Sequence, residues 1–494
     1  MVPDPGRGVI WDAVGEAVVP PSERLSADGP NVLLVVTDQE RADLTDGRGP
    51  EVHTPGTDRL AREGLRCNRG YTPTAICSPA RASILTGLYP HNHGVLSNPT
   101  RSAIDTGLPP DAPTMGERAR SAGYETEYVG KWHVEGTDPA AAGFEAVSGW
   151  DHSTDQTLDT PDYREFARER GVDPDAVSVD AGVADLPTEA TQTAYLAERA
   201  IDRLSVHAER GDRFVLRLDF PGPHGPYVVP RAYADRYDPG DIDQWPSFRE
   251  TFDGKPAVHR LHPRYYDVAD RSWPEWATVA SRYFAFETLI EEQFARVLDA
   301  LDEFGLADDT VVVRTSDHGE FVGHHRQGNK GPLMYEDVYR VPFAVRWPDV
   351  VDAGRETDRF VCLQDLMPTV CRLTGADVPD VDGRDLVPLL AGEPDEWRDA
   401  VFAEYHGEPE TLYTQRMIRT DRFKFVFNGP DVNELYDLAT DPHELHNLVD
   451  NPAYEDARRE LADRLGNWME RSDDHVAVQR YRRRVSRPDS DSPQ

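Results

Sequence analysis

"NVLLVVTD" (Asn31–Asp38) decides the fold. Its apolar residues do not alternate with polar ones, so neither face of an extended chain there suits water. Such a run reads as a strand buried on both sides, the condition of parallel strands covered by helices. It ends in a carboxylate. "TVVVRTSDHGE" (Thr310–Glu320) repeats the pattern: a β-branched run, then Asp317. "GYETEYVG" (123–130), "RFVLRLDF" (213–220) and "VPFAVRWP" (341–348) read as further strands. Helical patterns stand between them: "TPGTDRLAREGL" (54–65), "TEATQTAYLAERAIDRLSVHAER" (188–210), a long stretch from Trp276 stopped by Gly305, and "LQDLMPTVCRLTG" (363–375). Strands alternating with helices predict an α/β fold with a large, mostly parallel mixed sheet flanked by helices.

After about residue 398 the pattern changes. "AVFAEY", "QRMIRTD", "RFKFVFN" and "NELYDL" are short β-like pieces. They predict a smaller α+β C-terminal domain with an antiparallel sheet. The expected organisation is an extension over 1–30, a catalytic domain over 31–398, the small domain over 399–470 and a mobile tail over 471–494. The chain of 494 residues has ample size for a buried core.

Net charge is −36, from 89 acidic and 53 basic residues. An acidic surface repels nucleic acid and anionic membranes, so neither partner is expected. Only four basic residues are lysines: Lys131, Lys255, Lys330 and Lys424. Strong acidity with few lysines resembles proteins of salt-loving microbes, where concentrated salt screens self-repulsion. Four cysteines at this length do not make a disulfide scaffold. No signal peptide and no spanning segment is read, so a cytoplasmic location is expected.

In parallel sheets, ligands sit beyond the carboxyl ends of strands. Asp38 and Asp317 stand at two such ends and can meet at one site. With their neighbours Gln39 and His318 they suit a hard divalent cation, or each acid simply caps its loop. "CSPAR" (77–81) lies elsewhere in the chain. Ser78 is the expected N-cap of a helix and Pro79 suits its first turn. Cys77 then sits at the positive helix end, and Arg81 adds a fork for a tetrahedral oxyanion. That suits a nucleophile attacking an anionic ester; a small buried thiol beside an ordinary helix start is the other reading. "GKWH" supplies Lys131 and His133, "PGPHGPY" supplies His224, and "GHHRQGNKG" supplies Lys330, each on a loop beyond a strand. His91, His93, His324 and His325 are read as supporting or surface histidines. Substrate selection is expected from loops between 136 and 190 and around 225–275, and from the rim of the C-terminal domain. Trp150, Trp245, Trp273 and Trp276 in those loops could stack on a sugar or aryl group or serve loop packing.

These motifs resemble the type I sulfatases of the alkaline phosphatase superfamily. "CSPARASILTG" matches the C-x-P-x-R…TG signature. "NVLLVVTDQ", "GKWH", "PHGP", "SDHGE", "YEDVYRVPFAV", "DLMPTVCRLTG", "DGRDLVPLL" and "ELYDLATDPHELHNL" follow in family order. The resemblance implies that Cys77 is converted to formylglycine by a formylglycine-generating enzyme. It implies that Asp38, Gln39, Asp317 and His318 ligate Ca2+ (or Mg2+ or Mn2+) beside residue 77. Arg81 and Lys131 would hold the nucleophile and sulfate, and His133 would take a proton. His224 and Lys330 would bind sulfate and help protonate the leaving oxygen. A thiolate is soft and matches carboxylates and calcium poorly, whereas a hydrated aldehyde offers two hydroxyls. The implied substrate is a small-molecule or saccharide sulfate ester. Many relatives carry Asp where Gln39 stands and Asn where His318 stands. The variants here are familiar from branches that include phosphonate and phosphodiester hydrolases and choline-sulfatase-like enzymes. Two alternatives therefore stay open: phosphonate monoester or phosphodiester hydrolysis at the same site, and a pseudoenzyme that binds sulfated glycans without turnover.

The charge balance has a direct check. The melting temperature is expected to rise with KCl in a calorimetric titration; full stability in dilute buffer would overturn the salt-adapted reading.

Overall fold

The structure is a computed structural model that describes residues 29–98, 107–148, 160–392, 394–407, 413–429 and 431–474. The readings for residues 1–28, Trp150 and the tail beyond 474 lie outside the described residues. Eight strands form the main sheet: β1 (Asn31–Asp38), β2 (Leu65–Cys67), β3 (Glu125–Gly130), β4 (Glu145–Ser148), β5 (Phe214–Pro223), β6 (Thr310–Ser316), β7 (Phe343–Arg346) and β8 (Arg355–Thr357). Their spatial order is β8-β2-β7-β6-β1-β5-β3-β4. The five strands from β6 to β4 run parallel, and β7 is antiparallel to both its neighbours.

β1 lies in the middle because both its faces are apolar. Val32, Leu34 and Val36 enter one core, with Leu85 and Val370. Leu33 and Val35 enter the other, with Leu60, Leu204 and Phe294. Helices supply the cover. α1 (Pro55–Glu63), α3 (Gln192–Arg210) and α4 (Trp273–Glu303) pack on the second face, while α2 (Cys77–Thr86) and α5 (Leu366–Thr374) pack on the first. The long helix ends at the residue pair Phe304 and Gly305, the latter at φ +69°. The predicted mostly parallel, helix-flanked sheet is therefore what forms.

Close strand approach has one strict requirement at the site edge. Gly130 ends β3 at φ +109°, and a Cβ there would stand 1.9 Å from the Asp219 carbonyl oxygen. Only glycine lets Lys131 leave the sheet at that point.

The four C-terminal β-like pieces form the expected antiparallel sheet: β9 (Ala400–Tyr405), β10 (Gln415–Thr420), β11 (Phe423–Phe427) and β12 (Glu434–Asp437). One face packs on α6 (Glu455–Arg471) through Ile418, Phe425, Leu465 and Trp468. The other face packs Val401, Met417 and Tyr436 against Tyr71, Tyr335 and Phe360.

His91, read as a supporting or surface residue, ties these parts together. Its Nδ1 is 2.7 Å from Glu404 Oε2, and its Nε2 is 2.8 Å from the Ser472 carbonyl. Both nitrogens face acceptors, which requires the imidazolium. Burial opposes that charge, but Glu404 outweighs it and lifts the pKa to about 9. A folded pKa above the unfolded value contributes stability that is complete below about pH 6.5 and is lost as pH rises through about 9. Urea unfolding should show a decline of up to about 3 kcal/mol over that window. The decline should shrink in His91→Gln; an unchanged decline would remove His91 as its source.

Candidate active site

Parallel strands end side by side, so acids at their carboxyl ends become neighbours. Asp38 closes β1, Asp317 follows β6, and Asp219 lies in β5 on the other side of β1. The α2 helix brings Cys77 against this edge. Asp38, Cys77, Asp317 and His318 are all buried, with one ligand atom of each inside a 4.8 Å cluster. Cys77 Sγ is 3.1 Å from His318 Nε2 and 3.9 Å from Asp38 Oδ1.

Helix α2 starts two residues earlier than the sequence suggests. Ile76 is the N-cap and Cys77 the first helical residue, so Ser78 is not the cap. The reason is that Asn98 Oδ1 accepts from the Ser78 N–H at 3.0 Å, supplying what a capping hydroxyl would. Arg81 lies four residues after Cys77, on the same helix face. Its Nε donates to Asp317 at 2.8 Å, its Nη1 to Asp219 at 2.7 Å and to the Lys131 carbonyl at 2.9 Å, and its Nη2 to Asp38 at 3.2 Å. The guanidinium is thus spent on three carboxylates and a carbonyl. Lys131 Nζ sits 2.5 Å from Asp38.

On the opposite wall, Lys330 Nζ is 2.7 Å from His224 Nε2 and donates to Gln39 Oε1 at 2.8 Å. The Gln39 amide nitrogen is turned to Glu320 and to Asn329. Its backbone N–H donates to Asp317 at 3.1 Å. Gln39 therefore borders the acid cluster with its side-chain oxygen on Lys330. A carbonyl oxygen has two lone pairs, so that bond leaves capacity for an ion. Gln39, His133 and Asn329 all hold positive φ, of 68°, 48° and 65°. Non-glycine residues in that region cost energy and cluster where geometry is demanded.

Burial and mutual repulsion leave the cluster short of positive charge. Burial, then Asp38, pushes Asp317 up to about 6. Burial alone would raise Cys77, but Lys330, His318 and Lys131 reverse this and hold the thiol well below its usual range. For His318, Asp317 and the thiol overcome burial and raise its pKa. His318 Nδ1 is 2.9 Å from the Gly319 carbonyl, which fixes the proton there and turns Nε2 toward the acids. Carboxylates, an imidazole nitrogen and an oxygen-bearing amide fit a divalent cation; the soft sulfur of Cys77 does not suit a hard one. Burial, then Lys330, lowers His224 to about 4. His133 is lowered by burial and Lys131, and both its ring nitrogens lack a well-aligned hydrogen-bond partner among the described residues.

The chain is similar to known proteins over most of its length. The Sulfatase family model matches residues 30–376, and the model for the C-terminal part of N-sulphoglucosamine sulphohydrolase matches 323–471. The chain belongs to the sulfatase family. The chain is a sulfuric ester hydrolase. This sulfatase is 30% identical to the uncharacterized sulfatase YidJ of Escherichia coli, over 93% of this chain and 91% of that one. It is 28% identical to an arylsulfatase of Clostridium perfringens, over 86% and 92% of the two chains. The phosphonate monoester hydrolase of Agrobacterium radiobacter superposes with a TM-score of 0.76 at 28% identity, covering 90% of this chain and 96% of that one.

Other sequence-selected residues fall in supporting positions. His93 is buried and pairs with Ser83 at 3.0 Å. His324 and His325 are buried against Asp337, and His325 also reaches Glu250 at 3.0 Å. Trp245 stacks on His324, Trp273 meets Trp245 edge-on, and Trp276 is buried, so these three pack loops. Asp219 and Glu320 were missed. For Asp219 the only signal is that "RFVLRLDF" is a third apolar run containing an acid, which does not tell a site acid from one paired with Arg217. Glu320 carried none beyond its place in "SDHGE".

Removing the guanidinium leaves three buried carboxylates short of a partner. Arg81→Met is expected to lose about 3–5 kcal/mol of unfolding free energy, with Arg81→Lys recovering little because an ammonium has no fork. A loss under about 1 kcal/mol in urea titration would rule out the clamp.

Proposed function

We propose that the protein hydrolyses a sulfate ester to an alcohol and inorganic sulfate, with formylglycine made from Cys77 as the nucleophile. The observation that carries this is the convergence of residue 77 with two strand-end acids and His318, inside a wall of Lys131, His133, His224 and Lys330. Asp38, Gln39, Asp317 and His318 would hold a divalent cation, Ca2+ by family likeness. Together the cation and the aldehyde hydrate supply an activated oxygen nucleophile for attack on sulfur.

The chain's own residues do the rest. Arg81 keeps Asp38 and Asp317 ionised and together, and so fixes the helix that carries residue 77. Lys131 and Lys330 present ammonium groups from opposite sides, where charge grows on the sulfuryl oxygens. His133, neutral and without a well-aligned partner, is placed to accept the proton released at residue 77. His224 Nε2 accepts from the Lys330 ammonium, so the pair would protonate the leaving oxygen with Lys330 as the source of the proton and His224 holding it in place. Maturation by a formylglycine-generating enzyme belongs to the same proposal, as does a salt-adapted host.

The likeness to the Agrobacterium phosphonate monoester hydrolase, with Gln39 and His318 in place, favours a second reading of the same site: phosphonate monoester or phosphodiester hydrolysis. Parallel assays at high KCl on an aryl sulfate, an aryl phosphonate and a bis-aryl phosphate separate the two. The aryl sulfate is expected to give the highest kcat/KM. Asp317→Ala is expected to lose activity by about a thousandfold or more and to lose bound metal with it. Preference for the phosphonate would install the second reading. An unmodified Cys77 by peptide mass in native protein, with no turnover, would make this a binding protein.

A further inference from the structure

Among the residues proposed for chemistry, His224 also lines a cavity of about 410 Å³. Its other walls are largely apolar: Val177, Val179, Leu186, Val228, Phe286 and Leu289. Several of these do not belong to a core. Val179 is 53% exposed, and Val177, Leu186, Val228 and Phe286 are only half-buried. Partly exposed apolar groups converging on one hollow mark a binding surface. The Phe286 ring packs directly beneath Gly222, so the same side chain forms the cavity wall and supports the turn that carries His224.

The polar groups in the walls are largely committed. Tyr163 Oη donates to the Ala190 carbonyl, and the Thr191 hydroxyl serves both the Thr188 carbonyl and the Ala194 N–H. The charged side chains are Arg164 and Asp175, which pair with one another. A hydroxyl-rich or multiply charged saccharide would lose water here and find few partners. An apolar or aryl alcohol would not.

We propose that this cavity takes the alcohol part of the substrate, and that the preferred ester is one of an apolar or aromatic alcohol. The inference rests on the reading of His224 as the group beside the leaving oxygen. An ester oxygen that touches His224 carries its alcohol next to the hollow that His224 borders. As the oxygen nucleophile at residue 77 forms its bond to sulfur, the bond from sulfur to the ester oxygen breaks; the sulfuryl group stays at residue 77, the ester oxygen takes a proton from the Lys330–His224 pair, and the free alcohol is left in the cavity.

The test uses the full chain and two variants outside the catalytic machinery, Val228→Trp, which fills the hollow, and the exposed Val179→Asp, which makes its wall polar. The probes are 2-naphthol, followed by its fluorescence, and the esters 2-naphthyl sulfate and methyl sulfate. Both variants are expected to bind 2-naphthol about tenfold or more weakly, and to lose kcat/KM by a similar factor on the naphthyl ester alone. Unchanged naphthol binding in both folded variants overturns the proposal, and so does an equal fall on both esters. If the parent chain hydrolyses neither ester yet binds naphthol in a Val179-dependent way, the sulfatase reading fails and the cavity stands as an apolar-alcohol site.

Discussion

The arrangement depends on one guanidinium. A parallel sheet aligns its carboxyl ends, and here three adjacent strands bring carboxylates to that edge. Burying them would cost several kcal/mol each without a counter-charge. Arg81 meets Asp38, Asp219 and Asp317 at once, with its side chain fully buried. Because Arg81 is one helical turn from Cys77, the contact that neutralises the acids also aims residue 77 at them. A second buried arginine works beneath it. Arg314 in β6 joins Glu40, Glu287 and Glu291, anchoring the residue that follows Gln39 to the long helix. Two arginines thus gather acids contributed by distant parts of the chain.

Much of this was legible in the sequence because topology turns remote strand ends into neighbours. The unalternating run at 31–36 implied cover on both faces, and the two cores found there are its direct result. The acids at 38 and 317 were readable as partners once both strands were taken as parallel. The C-terminal pieces read as strands because each is short and carries β-branched or aromatic residues, and they pair in chain order.

What the sequence hid was mostly a matter of pairing. Asp219 sits inside its strand, where nothing in the local pattern separates a site acid from one facing Arg217. His91 lies in a short polar stretch, and only the return of the chain at Glu404 and Ser472 gives it a charge. Ser78 looked like a cap because the amide that replaces it, Asn98, is twenty residues away. The roles expected of Arg81 and Gln39 were carried over from a family pattern. The geometry adds that Arg81 spends its donors on protein carboxylates, and that Gln39 shares its oxygen with Lys330.

The placement of the four lysines has a consequence of its own. Lys131, Lys255 and Lys330 are each 4% exposed and Lys424 is 0%. Lys255 donates to the Tyr335 hydroxyl and the Glu444 carbonyl, and Lys424 bridges Glu336 and Glu444. The folded protein therefore presents no side-chain amine on its outer surface. Lysine-directed modifying enzymes have no side chain to reach until the fold opens, and a small acylating reagent or aldehyde meets only Lys131 and Lys330, by the route the substrate takes. The ammonium groups of Lys255 and Lys424 become reactive only on opening, so amine chemistry at those two reports unfolding of this molecule rather than its surface.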